Sequence, residues 1–237
     1  MNSKLSNQDI YDRIYSAISE RRLLPGTKLS EERLAQAFRA SRTRVREVLL
    51  RLGQELIVES HPNRGAFVAS PTTEDMRHVF AVRRALERAI AAELSERCGG
   101  QPIAPLRAHL ESEARARGEG DRAALARLTG DFHVRLAEAT GNRIFTENVR
   151  RLVALTGLII AQYDAQASSA CPENEHADIV KAIEAGDARR AERLMLQHLD
   201  HVESGIEAPA AGAGEVNFER IFGTVEPPAP KKRARRA

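Results

Sequence analysis

The sequence predicts a mainly α-helical protein in two parts: three short helices with a β-hairpin, followed by an all-α antiparallel bundle of about six helices. Apolar residues recur every three or four positions through most of the 237 residues, the period of helices with one buried face. Turn-forming Gly, Pro and Asn divide the chain after residue 72 into helix-length segments. Strand-like sequence is predicted only within residues 56–69.

The amino-terminal part contains three predicted helices and a hairpin. The first helix ends at a Leu-Leu-Pro-Gly turn at residues 23–26. Ser30 caps the second helix and Ser41 caps the third, because a serine hydroxyl accepts hydrogen bonds from the first amides of a helix. Residues 56–69 then predict two strands joined by a turn at residues 61–65. Three helices followed by a hairpin form a winged helix-turn-helix.

The third helix has the division of faces expected of a DNA-recognition helix. One side is an apolar stripe, whereas Arg42, Thr43 and Arg46 lie near the helix start and point away from it. Arginine at such a position can bind guanine with two parallel hydrogen bonds. The alternative is a solvated basic face. The neighbouring helices and hairpin favour recognition of DNA.

Residues 8–70 resemble the DNA-binding domain of the GntR superfamily of bacterial transcription regulators. The motifs that carry the resemblance are LPGTKLS at 24–30, LA at 34–35, SRTRVRE at 41–47 and PNRGAFV at 62–68. Arg44 departs from the family by replacing a frequent proline. Arg33 follows Glu32, which stands where some members carry a contacting arginine. The resemblance implies a set of DNA-binding residues: Ser41, Arg42, Thr43, Arg44, Arg46, Arg33, Arg64 and Gly65.

Charge follows the same division of the chain. The first 70 residues contain 12 Lys and Arg against 8 Asp and Glu, residues 71–230 contain 19 against 25, and residues 231–237 contain five basic residues. A basic domain joined to an acidic body is typical of DNA-binding regulators with salt-dependent affinity. The basic tail is expected to be disordered, and it is either a mobile arm that adds non-specific DNA affinity or a solvated tail.

The sequence predicts a cytoplasmic protein without a membrane partner. Its amino terminus lacks the apolar core of a signal peptide, and no apolar run approaches the roughly 20 residues that a membrane span requires. Cys98 and Cys171 have no paired spacing, so neither a disulfide framework nor a zinc knuckle is predicted. The expected boundaries are a DNA-binding domain at 1–70, a linker at 71–75, a helical domain at 76–205 and a tail at 206–237.

Three histidines, His133, His176 and His198, lie on amphipathic helices of the predicted bundle. A single histidine in such a helix is more often a surface residue or a hydrogen-bonded core residue. Three imidazoles that meet inside one bundle would nevertheless form a natural divalent-metal site. The alternative is that they hydrogen-bond an organic molecule.

Residues 76–204 resemble FCD, the carboxyl-terminal ligand domain of the FadR subfamily. The motifs are VRRALE at 82–87, FH at 132–133, ATGN at 139–142, EH at 175–176, IEAGD at 183–187 and His198. The resemblance implies that the histidines bind one divalent ion such as zinc, nickel or manganese. Metal-binding members carry Asp or Asn four residues before the first histidine, where this chain has Thr129. Asp131 lies roughly 200° around the helix from His133 and is expected to face elsewhere.

The resemblance also implies a small organic acid as the effector. Arg83 is the candidate partner of its carboxylate, because a guanidinium matches a carboxylate with two hydrogen bonds. A surface salt bridge between Arg83 and Glu87, four residues apart, is the alternative.

These features together predict a non-enzymatic transcription regulator. We expect a homodimer that binds a palindromic operator and, as a repressor, is released by its effector. A metalloenzyme and an architectural DNA-binding protein are the alternatives. The sequence shows no general base at suggestive spacing from the histidines, and an architectural protein would leave the helical bundle without a purpose.

Overall fold

A computed structural model describes residues 5–98, 101, 103–163, 172, 174–206 and 218–223. The amino-terminal elements are α1 (Asn7–Ser19), β1 (Lys28–Leu29), α2 (Glu31–Phe38), α3 (Arg42–Gln54), β2 (Val58–His61) and β3 (Gly65–Val68). The helices that follow are α4 (Thr73–Cys98), α5 (Ala104–Gly118), α6 (Arg122–Ala139), α7 (Arg143–Tyr163), α8 (Glu175–Glu184), α9 (Ala188–Ser204) and α10 (Phe218–Phe222). The predicted winged helix-turn-helix and six-helix bundle, α4 to α9, are confirmed.

The amino-terminal domain, residues 5–70, is called the head below. Its three strands form an antiparallel sheet in the order β1-β3-β2, with Val58 opposite Val68 and His61 opposite Gly65. The two residues of β1 are too few to carry a strand pattern, and the sequence did not predict them. Ser30 and Ser41 cap α2 and α3 as expected, each accepting a hydrogen bond from the amide three residues on.

The structure shows which elements lie at two of the predicted boundaries. Helix α4 begins at Thr73, within the predicted linker at 71–75. The Thr72 hydroxyl accepts the Asp75 amide at 3.1 Å, and the Asp75 carboxylate accepts the Thr72 amide at 2.8 Å, so the two residues start the helix together. Within the predicted tail, residues 218–222 form α10, and the basic residues 231–236 lie outside the described residues.

The head and the bundle share helix α7. The hydrophobic core of the head includes Ala154, Leu155, Leu158 and Ile159 from this helix, all buried. The bundle has a second core built around Phe80, Phe132 and Leu136. The head is therefore packed directly on the bundle. None of the described helices combines the length and apolarity needed to cross a lipid bilayer.

We expect Leu158→Ala to destabilise the protein by ~2–5 kcal/mol, because it removes a side chain that is 1% exposed and leaves a cavity where α7 meets the head. The midpoint of urea-induced unfolding, followed by circular dichroism, measures this loss. Ile144→Ala, at a position that is 55% exposed on the same helix, is the control and should change stability by less than about 0.5 kcal/mol. An unchanged midpoint for Leu158→Ala would show that α7 does not support the head.

Candidate nucleic-acid interface and metal centre

Helix α3 presents the polar face that the sequence predicts. Its apolar stripe, Val45, Val48, Leu49 and Leu52, is buried in the head. Arg42, Thr43 and Arg46 are exposed. The start of the helix therefore has cationic and hydroxyl groups available on the surface of the head.

Glu31, the first residue of α2, organises the arginines of α3. Arg46 donates from Nε and from a terminal nitrogen to the two Glu31 oxygens, both at 2.7 Å. Arg42 lies 3.8 Å from the same carboxylate. The hydrogen bonds from Arg46 lower the pKa of Glu31 and raise that of Arg46. The carboxylate thus holds the Arg46 guanidinium in a fixed direction on an exposed surface.

Arg44 and Arg33 have different surroundings from Arg46. The Arg44 guanidinium donates to the Asn7 side chain at 2.7 Å and to the Leu5 carbonyl oxygen, which joins α3 to the start of α1. Arg33 lies over the Phe218 ring, 5.7 Å from its centre. Both side chains are therefore engaged within the protein, although both stood in the predicted DNA-binding set.

The hairpin of β2 and β3 forms the wing. Asn63 and Gly65 have φ angles of 61° and 93° at the tip, a region that favours glycine. Arg64 is exposed beside them and lies 5.7 Å from the Phe67 ring centre, while Lys28 of β1 lies 6.0 Å from the same ring. Lys28 is a further cation of the wing that the predicted set did not include.

The three predicted histidines meet inside the bundle. His133 of α6, His176 of α8 and His198 of α9 are 4%, 2% and 1% exposed. The His198 Nε2 atom lies 3.2 Å from Nε2 of His133 and 3.3 Å from Nε2 of His176. Tetrahedral nitrogen ligands at ~2.0–2.1 Å from zinc would stand about 3.3–3.4 Å apart, so the cluster has the dimensions of a metal site.

Each of the three imidazoles contacts a separate carboxylate through its Nδ1 atom. Nδ1 of His133 lies 2.5 Å from Glu87, Nδ1 of His176 lies 3.0 Å from both Glu113 oxygens, and Nδ1 of His198 lies 2.8 Å from Glu175. A carboxylate behind Nδ1 fixes the tautomer that carries its proton there and directs Nε2 toward the other two rings. Such carboxylates are the usual partners of histidines that bind metals.

Burial controls the protonation of this cluster. It lowers the pKa of His133 to about 3 and that of His176 to about 4, so both rings are neutral near pH 7. Burial also opposes ionisation of Glu113, but hydrogen bonds from His109 and His176 outweigh it and lower the pKa of this carboxyl to about 2. Neutral imidazoles with ionised carboxylates behind them are the protonation states that a metal site requires.

Thr129, at the position where family members carry a carboxylate, does not join the histidines. Its hydroxyl donates to the Ala126 carbonyl oxygen of its own helix at 3.1 Å. Asp131 borders the same cavity as the histidines. Its carboxylate lies 3.3 Å from Arg127 and is not part of the histidine cluster.

Arg83 is buried and not part of a surface salt bridge. It is 2% exposed, its Nε donates to Glu87 at 2.7 Å, and one terminal nitrogen donates to Thr156 at 3.2 Å. The other terminal nitrogen, NH2, has no hydrogen-bond partner among the described residues. Because Glu87 also contacts His133, Arg83 and the histidine cluster form one continuous polar network.

A cavity of about 270 Å³ opens onto this network. Arg83, Thr129 and the three histidines line it, together with residues of α7 and, from α1 of the head, Tyr15, Ser16 and Ser19. A buried cation with an unpaired donor next to three imidazoles suits a small anionic ligand. Sequence reasoning identified Arg83 and the histidines, but Glu113, Thr156 and the contribution of the head arise from tertiary packing.

Comparison with known proteins agrees with this architecture. Residues 6–68 match the model of bacterial regulatory proteins of the gntR family, and residues 78–201 match the FCD domain. The chain therefore belongs to the GntR family, in the group whose second domain is FCD, and it is a ligand-responsive transcription regulator.

Individual relatives cover most of this chain. It is 24% identical to the HTH-type transcriptional repressor RspR of Escherichia coli over 84% of this chain and 88% of that protein. It is 27% identical to a probable D-xylose utilization operon transcriptional repressor of Paenarthrobacter nicotinovorans, over 84% and 91%. A putative GntR regulator of Rhodococcus sp. RHA1 has the same fold, with a TM-score of 0.75, 24% identity and coverage of 84% and 96%.

Proposed function

We propose that this regulator is a homodimeric repressor that binds a palindromic operator through α3 and the wing, and that a small organic acid bound beside the histidines releases it. The observation that carries the proposal is that α7 lies between the cavity and the core of the head. One face of this helix lines the ligand cavity through Thr156 and Ile160, and the other supplies Leu158 and Ile159 to the core of the head.

The DNA contact is assigned first to Arg42 and Arg46. Both are exposed at the start of α3, and both are near Glu31, which an anionic DNA surface would replace as their partner. Ser41 and Thr43 at the same helix end, with Arg64 and Gly65 on the wing, supply further contacts to phosphates or base edges. Two such helices in a dimer fit successive major grooves, about 34 Å apart, which requires a palindromic operator.

A divalent ion is assigned to His133, His176 and His198. Imidazole ligands suit zinc and nickel better than manganese, which prefers carboxylates, and Thr129 adds none. Three protein ligands leave coordination positions for water or for an effector. When bound, the ion would act as a Lewis acid toward a carboxylate oxygen in the cavity.

The effector is assigned to the class of small carboxylates. The unpaired NH2 of Arg83 supplies a donor at the buried end of the cavity, next to the metal ligands. A carboxylate there would complete the hydrogen bonding of Arg83 without the cost of leaving a buried donor unpaired. Arg83 also donates to Thr156 of α7, so a ligand that reorients this arginine acts on the helix that supports the head.

Arg46→Ala should weaken binding to an operator by ~1–3 kcal/mol, because it removes a candidate bidentate base contact from the start of α3. The wild-type protein would first select its preferred duplex from a random-sequence pool, and fluorescence anisotropy would then measure the affinity of each variant. Arg143→Ala removes an exposed arginine from the bundle and is the matched control. Equal affinity of Arg46→Ala and wild type for the selected duplex would refute the assignment of the recognition face.

The metal assignment predicts about one equivalent of zinc or nickel per chain, lost in His133→Ala because two imidazoles alone hold such ions weakly. Elemental analysis of protein prepared without chelators measures the content. His78→Ala, which removes an exposed histidine outside the cluster, should retain the ion. The assignment fails if wild-type protein contains no metal, or if His133→Ala retains it.

Glu175 is the most exposed of the three carboxylates that contact the histidines. The variant Glu175→Gln therefore tests whether such a carboxylate supports metal binding. Loss of the charge behind His198 should weaken metal binding by ~10–100-fold, since the imidazole becomes a poorer and less well oriented ligand. Competition with a chromophoric chelator gives the affinity, and Glu138→Gln, on the outer surface of α6, is the control. Metal affinity unchanged from wild type would show that Glu175 does not orient His198.

A further inference from the structure

An acidic side chain, Glu31, lies on the same surface of the head as the candidate DNA-binding arginines. It is the first residue of α2, and Ser30 caps that helix. Leu34 of α2 and Val45 of α3 are both buried in the core of the head, so the start of α2 is fixed relative to the recognition helix. The positive end of a helix stabilises a carboxylate in its first turn. Glu31 is therefore a fixed negative charge on the proposed DNA-binding surface.

The Glu31 carboxylate occupies only one of the two hydrogen-bonding edges of the Arg46 guanidinium. Arg46 donates to it from Nε and from one terminal nitrogen, both at 2.7 Å, which uses the edge that these two nitrogens form. The second edge includes the other terminal nitrogen, which has no hydrogen-bond partner among the described residues. The Arg46 side chain is 59% exposed and that of Glu31 is 25% exposed. The more exposed arginine is thus available to a ligand while the less exposed carboxylate holds it.

A guanine base and a phosphate group place different demands on this ion pair. The O6 and N7 acceptors of guanine match one edge of a guanidinium, so the base can bind the second edge of Arg46 while Glu31 keeps the first. A phosphate is an anion, and it must either displace the carboxylate or stand beside it with like-charge repulsion. A contact with phosphate alone therefore carries a cost that a contact with guanine does not.

We propose that Glu31 is a specificity-determining residue, which positions Arg46 for a guanine of the operator and opposes contacts of Arg42 and Arg46 with the phosphates of other DNA. The proposal rests on the proposed function, since it requires α3 to contact the operator. Arg42 lies 3.8 Å from the same carboxylate and is subject to the same competition. A protein gains specificity by weakening its binding to the wrong partner as well as by strengthening its binding to the right one.

The test compares Glu31→Gln with Glu32→Gln in the full-length protein. Both variants remove one negative charge from the first turn of α2, but Glu32 is exposed and has no ion-pair partner among the described residues. Fluorescence anisotropy measures the affinity of each variant for two duplexes. One is the duplex that the wild-type protein selects, and the other has the same length and base composition in scrambled order.

Glu31→Gln should bind the scrambled duplex several-fold more tightly than the wild type does, and the selected duplex no more tightly. We expect the ratio of the two affinities to fall about tenfold, within the range that one bidentate contact between arginine and guanine supplies. On the scrambled duplex the slope of log affinity against log salt should steepen by ~1–2, because each new phosphate contact of Arg42 or Arg46 contributes about 0.9. In Glu32→Gln both affinities should change by the same factor, so their ratio stays at the wild-type value.

Single base-pair substitutions in the selected duplex separate positioning of Arg46 from a general structural role. The guanine that Arg46 contacts is the one whose substitution weakens binding by the wild type but not by Arg46→Ala. Glu31→Gln should lose less affinity than the wild type from this substitution and as much as the wild type from the others. Equal effects at all positions would show that Glu31 acts on the fold of the head, and would overturn the proposal.

Two further outcomes would also contradict the role of Glu31. One is a wild-type affinity ratio in Glu31→Gln, and the other is an equal change of the ratio in Glu31→Gln and Glu32→Gln. Circular dichroism would verify that the head of each variant remains folded. Because weak binding of the selected duplex by Arg46→Ala tests α3 separately, the proposal about Glu31 can fail while the proposed function stands.

Discussion

The packing of α7 between two hydrophobic cores is the constraint on which the rest of the structure depends. Leu158 and Ile159 are buried against the head, while Val149 of the same helix is buried in the bundle. A helix with both faces covered cannot rotate or slide without disturbing two close-packed interiors, and such interiors adopt discrete arrangements in preference to continuous deformation. The orientation of the head is therefore determined by the same helix that forms a wall of the proposed ligand cavity.

Two charged side chains of α4 are buried where the helices of the bundle pack together. Arg83 and Glu87 stand one turn apart on α4 and are both 2% exposed, so each loses its hydration and must find partners inside the protein. Arg83 and His133 lower the pKa of the Glu87 carboxyl despite its burial, and the ionised carboxylate then serves both neighbours. Because the same group orients a candidate metal ligand and the candidate effector-binding arginine, the two halves of the cavity are electrostatically coupled.

Local patterns predicted much of the fold and part of the site. The stripe of α3 and its Ser41 cap depend on residues close in sequence, and both are present in the structure. The histidines were found because each has a recognisable local context. The sequence did not identify their carboxylate partners. Glu87 is 46 residues from His133 and Glu113 is 63 residues from His176, so only packing brings them together. Helix α10 escaped prediction for a related reason, because five residues carry no helical period and are ordered by contact with Phe38 and Arg33.

The position of the cavity determines how a ligand can influence DNA binding. Tyr15, Ser16 and Ser19 of α1 line it, and the same helix contributes Ile14 and Ile18 to the core of the head. A ligand bound in the cavity would therefore contact the DNA-binding domain directly as well as through α7, and its affinity would depend on how the head is placed. Such dependence is reciprocal, because a ligand that disfavours the DNA-binding arrangement must itself bind less tightly when DNA is bound. A regulator with this geometry needs no long pathway between its two sites, since one helix of the head belongs to both.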